Sequence, residues 1–266
     1  VAAGLARGGI DLGSVDFILG TSAGAIVGAQ LAAGADPEAM SNAILAEIDG
    51  VPPRGATADY PLAAVLKLAD LFKLAVTGDA GRAAVGSYAL SAATLESEAA
   101  YIGRMAEAIG IDEWPEADIG LVAVAVADGR PAILRRDCGA TIAAAVAASC
   151  ALPGLSPPVS ICGRRYMDGG MRSTVNADLA TGFDSVLVLC FHPAGPAGDR
   201  IVARLAAQSE SLERSGARVY AMSPDEVSLT AIGPLTLDVV RRPAVTRAGV
   251  AQGAASVDAV ATLLRK

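Results

Sequence analysis

One histidine, His192, is the only imidazole in this 266-residue chain. That scarcity excludes histidine-rich zinc sites, and no H-E-x-x-H run or cysteine cluster replaces them, so no metal or other cofactor is expected. Cysteine is sparse as well. Cys138, Cys150, Cys162 and Cys190 show neither C-x-x-C spacing nor a disulfide-dense pattern, and read as small buried residues of a reduced compartment such as the cytoplasm. Charged residues reach only 18% and the net charge is −7, without the clustered Lys and Arg that nucleic acid requires. No apolar run is long enough to span a bilayer, because the longest are broken by Gly, Asp or Lys. No signal peptide is visible, but the chain begins at Val1 and its true start is expected upstream. What is abundant is apolar: 53% hydrophobic residues, much of it alanine, enough for a substantial core with close helix packing.

Within that apolar chain stands Gly20-Thr21-Ser22-Ala23-Gly24. At this glycine and serine content chance alone supplies about 0.2 G-x-S-x-G pentapeptides, so the flanking sequence decides its meaning. Phe17-Ile18-Leu19 before it reads as a strand, and 25–33 after it as a helix. A strand, a sharp turn and a helix is the arrangement that thrusts a serine out as a nucleophile. Glycines two residues to either side are expected to let strand and helix approach without collision. The helix start would aim backbone N–H groups at the serine oxygen, that of Ala23 among them. An ordinary tight turn in a glycine-rich protein is the competing reading.

Along the chain, 1–9 reads as the tail of a helix, 14–19 as a strand, and Asp36-Pro37-Glu38 as a helix start with Asp36 the N-cap. Residues 51–59 read as a loop. In the helix expected over 62–76, Lys67, Asp70 and Lys73 form a narrow polar stripe on an apolar cylinder. A mostly buried helix is favoured there over a lid or a lipid-touching surface. A further helix is expected over 92–109, a buried strand over 121–127, an Asp128-Gly129 turn and a return strand over 132–135. Then come a small-residue helix over 141–149, a hairpin around Cys162-Gly163 and a strand over 186–191. A helix over 201–214, a strand over 218–222 and a terminal helix over 251–264 complete the pattern. Strands alternating with helices point to a layered α/β fold with a largely parallel sheet, in one domain over 1–266.

A serine nucleophile needs a base, and Asp168-Gly169-Gly170 follows the hairpin where a strand gives way to a loop. Two glycines after the aspartate allow a sharp turn and a close approach by another segment. An ordinary Asp-Gly turn is the alternative. With both motifs in hand, the chain resembles the patatin-like phospholipases, lipid acyl hydrolases that use a serine–aspartate dyad. The likeness rests on Gly20 to Gly24 with the small-residue helix behind it, and on Asp168-Gly169-Gly170. It also rests on Ala148-Ser149, Pro153-Gly154, Pro157-Pro158, Gly163-Arg164-Arg165-Tyr166 and Asn176-Ala177-Asp178-Leu179-Ala180. It implies a three-layer α/β sandwich, and a dyad of Ser22 and Asp168 supported by Gly20, Thr21, Ala23, Gly24, Gly169 and Gly170. The implied substrate is a lipid or other acyl ester, met in transient contact with a membrane surface. The family's glycine-rich oxyanion loop has no convincing counterpart ahead of Ser22. Gly4 to Gly9 lies too close to the elbow for the intervening helix, so the chain is expected to start inside that helix.

Two mechanisms remain open from the residues alone. In the dyad, Asp168 takes the proton of Ser22 directly, and burial is expected to raise its pKa from the ordinary 3.9 or so towards a useful base. In the rival triad, His192 stands between them, in the Ser–Asp–His order of α/β-hydrolases. Only one strand precedes Ser22, which favours the dyad. A lipid-binding relic without catalysis, and acyl transfer to an acceptor other than water, are the remaining function classes. Arg164, Arg165 and the pair Arg241-Arg242 read as solvated charges rather than headgroup ligands.

Overall fold

Ile119–Ala125 is buried at every residue, and one half of the protein is organised around it. The computed structural model describes residues 1–47, 51, 62–233, 236 and 238–265; the loop expected over 51–59 lies outside them apart from Val51. In chain order the elements are α1 (Ala2–Arg7), β1 (Ile18–Thr21), α2 (Ala23–Ala32), α3 (Pro37–Leu45), α4 (Leu62–Ala75) and α5 (Asp79–Ser91). Next come α6 (Glu98–Ile109), β2 (Ile119–Ala125), β3 (Pro131–Leu134), α7 (Ile142–Ser149), β4 (Val159–Ile161) and β5 (Arg164–Asp168). The chain ends with β6 (Ser185–Leu189), α8 (Pro196–Arg214), β7 (Arg218–Met222), α9 (Glu226–Ile232), α10 (Arg242–Ala255) and α11 (Val257–Leu264).

These elements fall into two compact units. The first holds β1 to β5 with α2 and α4 to α7. In its sheet β2 pairs with β1, β3 and β5, and β5 pairs in turn with β4. Because alternate residues of a strand face opposite sides, β2 serves two layers of helices. Leu121, Ala123 and Ala125 join Ala25 and Ala29 of α2, Tyr101 and Met105 of α6, and Ile142 and Val146 of α7. Val124 and Val126 join Leu68, Leu71 and Ala75 of α4 and Val85 of α5, with Met167 and Met171. The three-layer α/β arrangement expected from the sequence is thus observed, around a mixed sheet. β1 runs parallel to β2, while β3 and β5 run antiparallel to β2 and β4 antiparallel to β5. Short turns at Asp128-Gly129 and Cys162-Gly163 impose two of the antiparallel pairs. Positive φ at both Cys162 and Gly163 suits a two-residue hairpin.

The second unit holds α1, α3, β6, β7 and α8 to α11. β6 and β7 pair in parallel, from Ser185 opposite Arg218 to Leu189 opposite Met222. Asp36 caps α3 as expected, accepting the Glu38 N–H at 2.9 Å. Gly4 sits in α1, and a Cβ there would lie 2.1 Å from the Val250 carbonyl of α10; this glycine serves helix packing.

Several expectations need correction. The strand placed over 14–19 starts only at Ile18, after a 3-10 turn over Leu12–Ser14. α5 had no counterpart in the sequence reading, and neither had α9. The helix expected over 92–109 starts at Glu98, capped by Ser97. That over 251–264 is two helices that meet at Ser256. α4 is half exposed rather than mostly buried: Leu68, Leu71 and Ala75 face the core, while Leu66, Lys67, Asp70, Lys73 and Leu74 face outward. Of the cysteines Cys190 is buried, Cys138 and Cys150 are half-buried residues, the latter with its thiol turned inward, and Cys162 is exposed.

Candidate active site

Ser22 turns the chain from β1 into α2 with φ 53 and ψ −122. A residue carrying a Cβ is strained there by about 1–3 kcal/mol, so its surroundings must hold it. Gly20 makes the turn feasible, since a Cβ at that position would lie 2.7 Å from both the Cα of Ala25 and the carbonyl of Gly24. Gly24 departs from the expected role: a Cβ there would meet nothing within 4 Å. It and Ala23 leave the first turn of α2 exposed.

Sheet register brings serine and aspartate together. β1 pairs with β2 up to Thr21 opposite Val122, and β5 pairs with β2 down to Asp168 opposite Ala123. β3 overlaps both stretches of β2 and so occupies its other edge. β1 and β5 therefore run head-on along one edge and stop at consecutive residues of β2. The Ser22 hydroxyl donates to Oδ2 of Asp168 at 2.8 Å. Oδ1 of the same carboxylate accepts the Gly170 N–H at 2.7 Å.

Asp168 is 1% exposed. Burial raises its carboxyl from 3.8 to about 6, against the opposing pull of the Gly170 and Ser22 hydrogen bonds. The two glycines behind it leave room for the backbone of β2 and for the carboxylate itself. A Cβ on Gly169 would come within 2.3 Å of the Val122 carbonyl, and one on Gly170 within 2.9 Å of Oδ1 of Asp168.

Residues that the motifs did not single out complete the surroundings. The buried Ser149, last in α7, accepts the Ser22 N–H at 3.0 Å and donates to the Val122 carbonyl at 2.7 Å. Asn176, also fully buried and with φ 57, donates from its amide nitrogen to Oγ1 of Thr21 at 3.1 Å and to the Gly169 carbonyl at 3.2 Å. It thereby links the strand before the serine to the turn after the aspartate. Both residues fall in segments quoted for the family resemblance, which was the one available signal. The Cys150 thiol, beside Asp168 and hydrogen-bonded to the Ser22 hydroxyl, is pushed well above its ordinary value, chiefly by burial. Burial likewise pushes the Tyr101 phenol up.

His192 follows β6, buried, with Nδ1 2.9 Å from the Pro193 carbonyl. A triad needs an imidazole between hydroxyl and carboxylate, and a direct 2.8 Å contact leaves no room for one. Arg164 pairs with Asp128 at 2.9 Å, and Arg165 donates to the Pro158 carbonyl at 2.6 Å. Arg241 and Arg242 pair with Asp238 and Glu47 at 3.1 and 3.3 Å. Among the described residues no group of three or more His, Cys, Asp or Glu is placed to hold a metal ion. No described helix is long and apolar enough to cross a membrane.

A layered α/β sheet thus carries, past the end of β1, a serine hydroxyl bonded to a buried carboxylate. The chain belongs to the patatin-like phospholipase family, whose model matches residues 2–181 of the 266. That family hydrolyses lipid acyl esters. A comparison with curated proteins finds no match.

Proposed function

We propose that this protein hydrolyses acyl esters of lipids or phospholipids, with Ser22 as nucleophile and Asp168 as the general base. The observation that carries the reading is the 2.8 Å hydrogen bond from the Ser22 hydroxyl to a buried carboxylate. A carboxyl with a pKa of about 6 is ionised at neutral pH, and takes a proton more readily than an ordinary aspartate.

As Ser22 Oγ bonds to the ester carbonyl carbon, its proton passes to Oδ2 of Asp168, so that no free alkoxide forms. The tetrahedral intermediate then expels the alcohol, which leaves with the proton from Asp168, and an acyl-serine remains. Water repeats the cycle: Asp168 takes its proton, the acyl–oxygen bond of Ser22 breaks, and Ser22 regains the proton as the fatty acid departs. The Ala23 N–H, following the nucleophile at the start of α2, is the donor assigned to the developing oxyanion. One such donor contributes ~2.7–4 kcal/mol, a hundred- to thousandfold in rate. An amphiphilic substrate brings the protein into transient contact with a membrane surface.

A fluorophosphonate probe should label the wild-type protein and fail to label Ser22→Ala. Hydrolysis of a phospholipid or p-nitrophenyl ester should collapse in Asp168→Ala and survive in His192→Ala. Undiminished hydrolysis in Asp168→Ala would refute the dyad. If the purified wild-type chain retains lipid binding but neither reacts with the probe nor hydrolyses esters, the lipid-binding relic is the correct reading instead.

A further inference from the structure

The two strands that bring Ser22 and Asp168 together stop at consecutive residues of β2, which leaves a break in that edge between Val122 and Ala123. Asn176 spans it from Thr21 to Gly169, and a second side chain ties the serine itself to β2. The Ser149 hydroxyl accepts the Ser22 N–H at 3.0 Å and donates to the Val122 carbonyl at 2.7 Å. Val122 is the residue opposite Thr21, the last in β1. A hydroxyl can donate once while accepting, so one oxygen satisfies both backbone groups.

The geometry points to Ser149 as a positioning residue for the reaction, one that rests on the serine–aspartate reading above. Its hydroxyl ties the peptide of Ser22 to the central strand and so holds that residue at φ 53, the conformation from which Oγ reaches Asp168. Ser149 is fully buried, so water does not readily replace the hydroxyl when it is removed. α7 is otherwise Ile142, Val146 and alanines, and its N-cap is Thr141 at the opposite end. The polar side chain at its last position thus meets no need of the helix itself. Neither Oδ atom of Asp168 is bonded to Ser149, so the role concerns the placement of the nucleophile and leaves the base alone.

The test compares Ser149→Ala with wild type on a soluble p-nitrophenyl ester, after folding is checked by circular dichroism, with Ser22→Ala alongside. A displacement of about 1 Å at a reacting atom costs on the order of 100-fold. We expect kcat and the fluorophosphonate labelling rate to fall together by about 10- to 100-fold. KM should change by no more than about twofold, because a positioning contact acts on the chemical step. The midpoint of the pH–rate profile should stay where wild type has it. A folded Ser149→Ala with wild-type kcat would overturn the assignment, as would a loss expressed wholly in KM or a moved midpoint. Should Ser149→Ala not fold, Ser149→Cys, of similar size but a weak acceptor, is judged by the same criteria. One measurement needs no variant: the Ser22 amide of the wild-type protein should exchange with deuterium at least about 100-fold more slowly than in the unfolded chain. Exchange at the unfolded rate refutes the contact. Hydrolysis retained in Ser22→Ala refutes the nucleophile assignment itself, whereas an inactive Ser22→Ala beside a fully active Ser149→Ala refutes the positioning role alone.

Discussion

Replacing Asp168 by asparagine should stabilise the protein while abolishing hydrolysis. The aspartate is 1% exposed, and burial raises its carboxyl from 3.8 to about 6. A gap of about two pH units corresponds to about 3 kcal/mol, at roughly 1.4 kcal/mol per unit. The sign follows from proton counting. Between about pH 4 and 6 the unfolded chain has lost a proton that the folded protein still holds, so this group makes stability fall as pH rises. Below that window both states are protonated and the cost is absent; above it the cost is complete. Asparagine is nearly isosteric and carries no charge. Its carbonyl can accept the Gly170 N–H as the carboxylate does, and its amide can donate to the Ser22 oxygen, reversing the wild-type bond while keeping both groups paired. Urea unfolding at pH 4, 5, 6, 7 and 8 should therefore give an advantage for Asp168→Asn that is small at pH 4, grows through pH 6 and levels off near 3 kcal/mol. An advantage independent of pH, or a variant less stable than wild type at pH 8, would refute the buried-carboxylate argument.

Hydrolysis at low substrate should rise about tenfold per pH unit below 6 and flatten above it, with a midpoint near 6 set by Asp168; a midpoint near 4 would mean that the carboxylate is solvated. Gly20→Ala should destabilise by about 1–3 kcal/mol and slow the reaction, because its Cβ would lie 2.7 Å from the backbone of α2. Gly24→Ala, with open space around its Cβ, should instead gain about 0.5–1 kcal/mol as a helix residue, and thermal melts of the two variants decide the contrast. Maleimide at pH 7 should label the exposed Cys162 first and Cys150, whose thiol burial holds well above its ordinary value, much more slowly. Equal rates at Cys150 and Cys162, read by mass spectrometry, would contradict that picture.

What was legible in the sequence was local. Gly20 to Gly24 and Asp168 to Gly170 are contiguous motifs whose turns their own glycines dictate, and Asp36-Pro37-Glu38 announced a helix start that the fold has. β2 was readable because an unbroken apolar run suits a strand covered on both faces. α5 was not, since Gly81, Gly86 and Ser87 dilute its apolar period. The break between α10 and α11 falls in Ala255-Ser256-Val257, which contains neither glycine nor proline to mark it. α4 went wrong for another reason: periodicity reports a stripe, not what lies against the rest of the cylinder, and Leu66 and Leu74 face outward. The meeting of Ser22 and Asp168 depends on which residues of β2 each strand stops at, a matter of register between segments 146 residues apart. A serine in an alanine helix and an asparagine in a loop carry no pattern of their own, so Ser149 and Asn176 were marked only by the family likeness of their segments.

The same residues explain why the site costs stability and how the fold offsets it. Apart from Cys162 in its hairpin, Ser22 and Asn176 are the described non-glycine residues with positive φ, and Asp168 is a carboxyl taken out of water. Each departs from a local rule, and each is held by hydrogen bonds to its neighbours in the site. Ser22 is bonded to Asp168 and Ser149, Ser149 to Val122, and Asn176 to Thr21 and Gly169. Strain at Ser22 is thus opposed by hydrogen bonds to Asp168 and Ser149, and Ser149 is in turn anchored on a strand buried on both faces. Local preference alone would relax Ser22 to negative φ and break its contact with Asp168. The rigidity that prevents this belongs to β2 and its two helix layers, and so to residues that no motif contains.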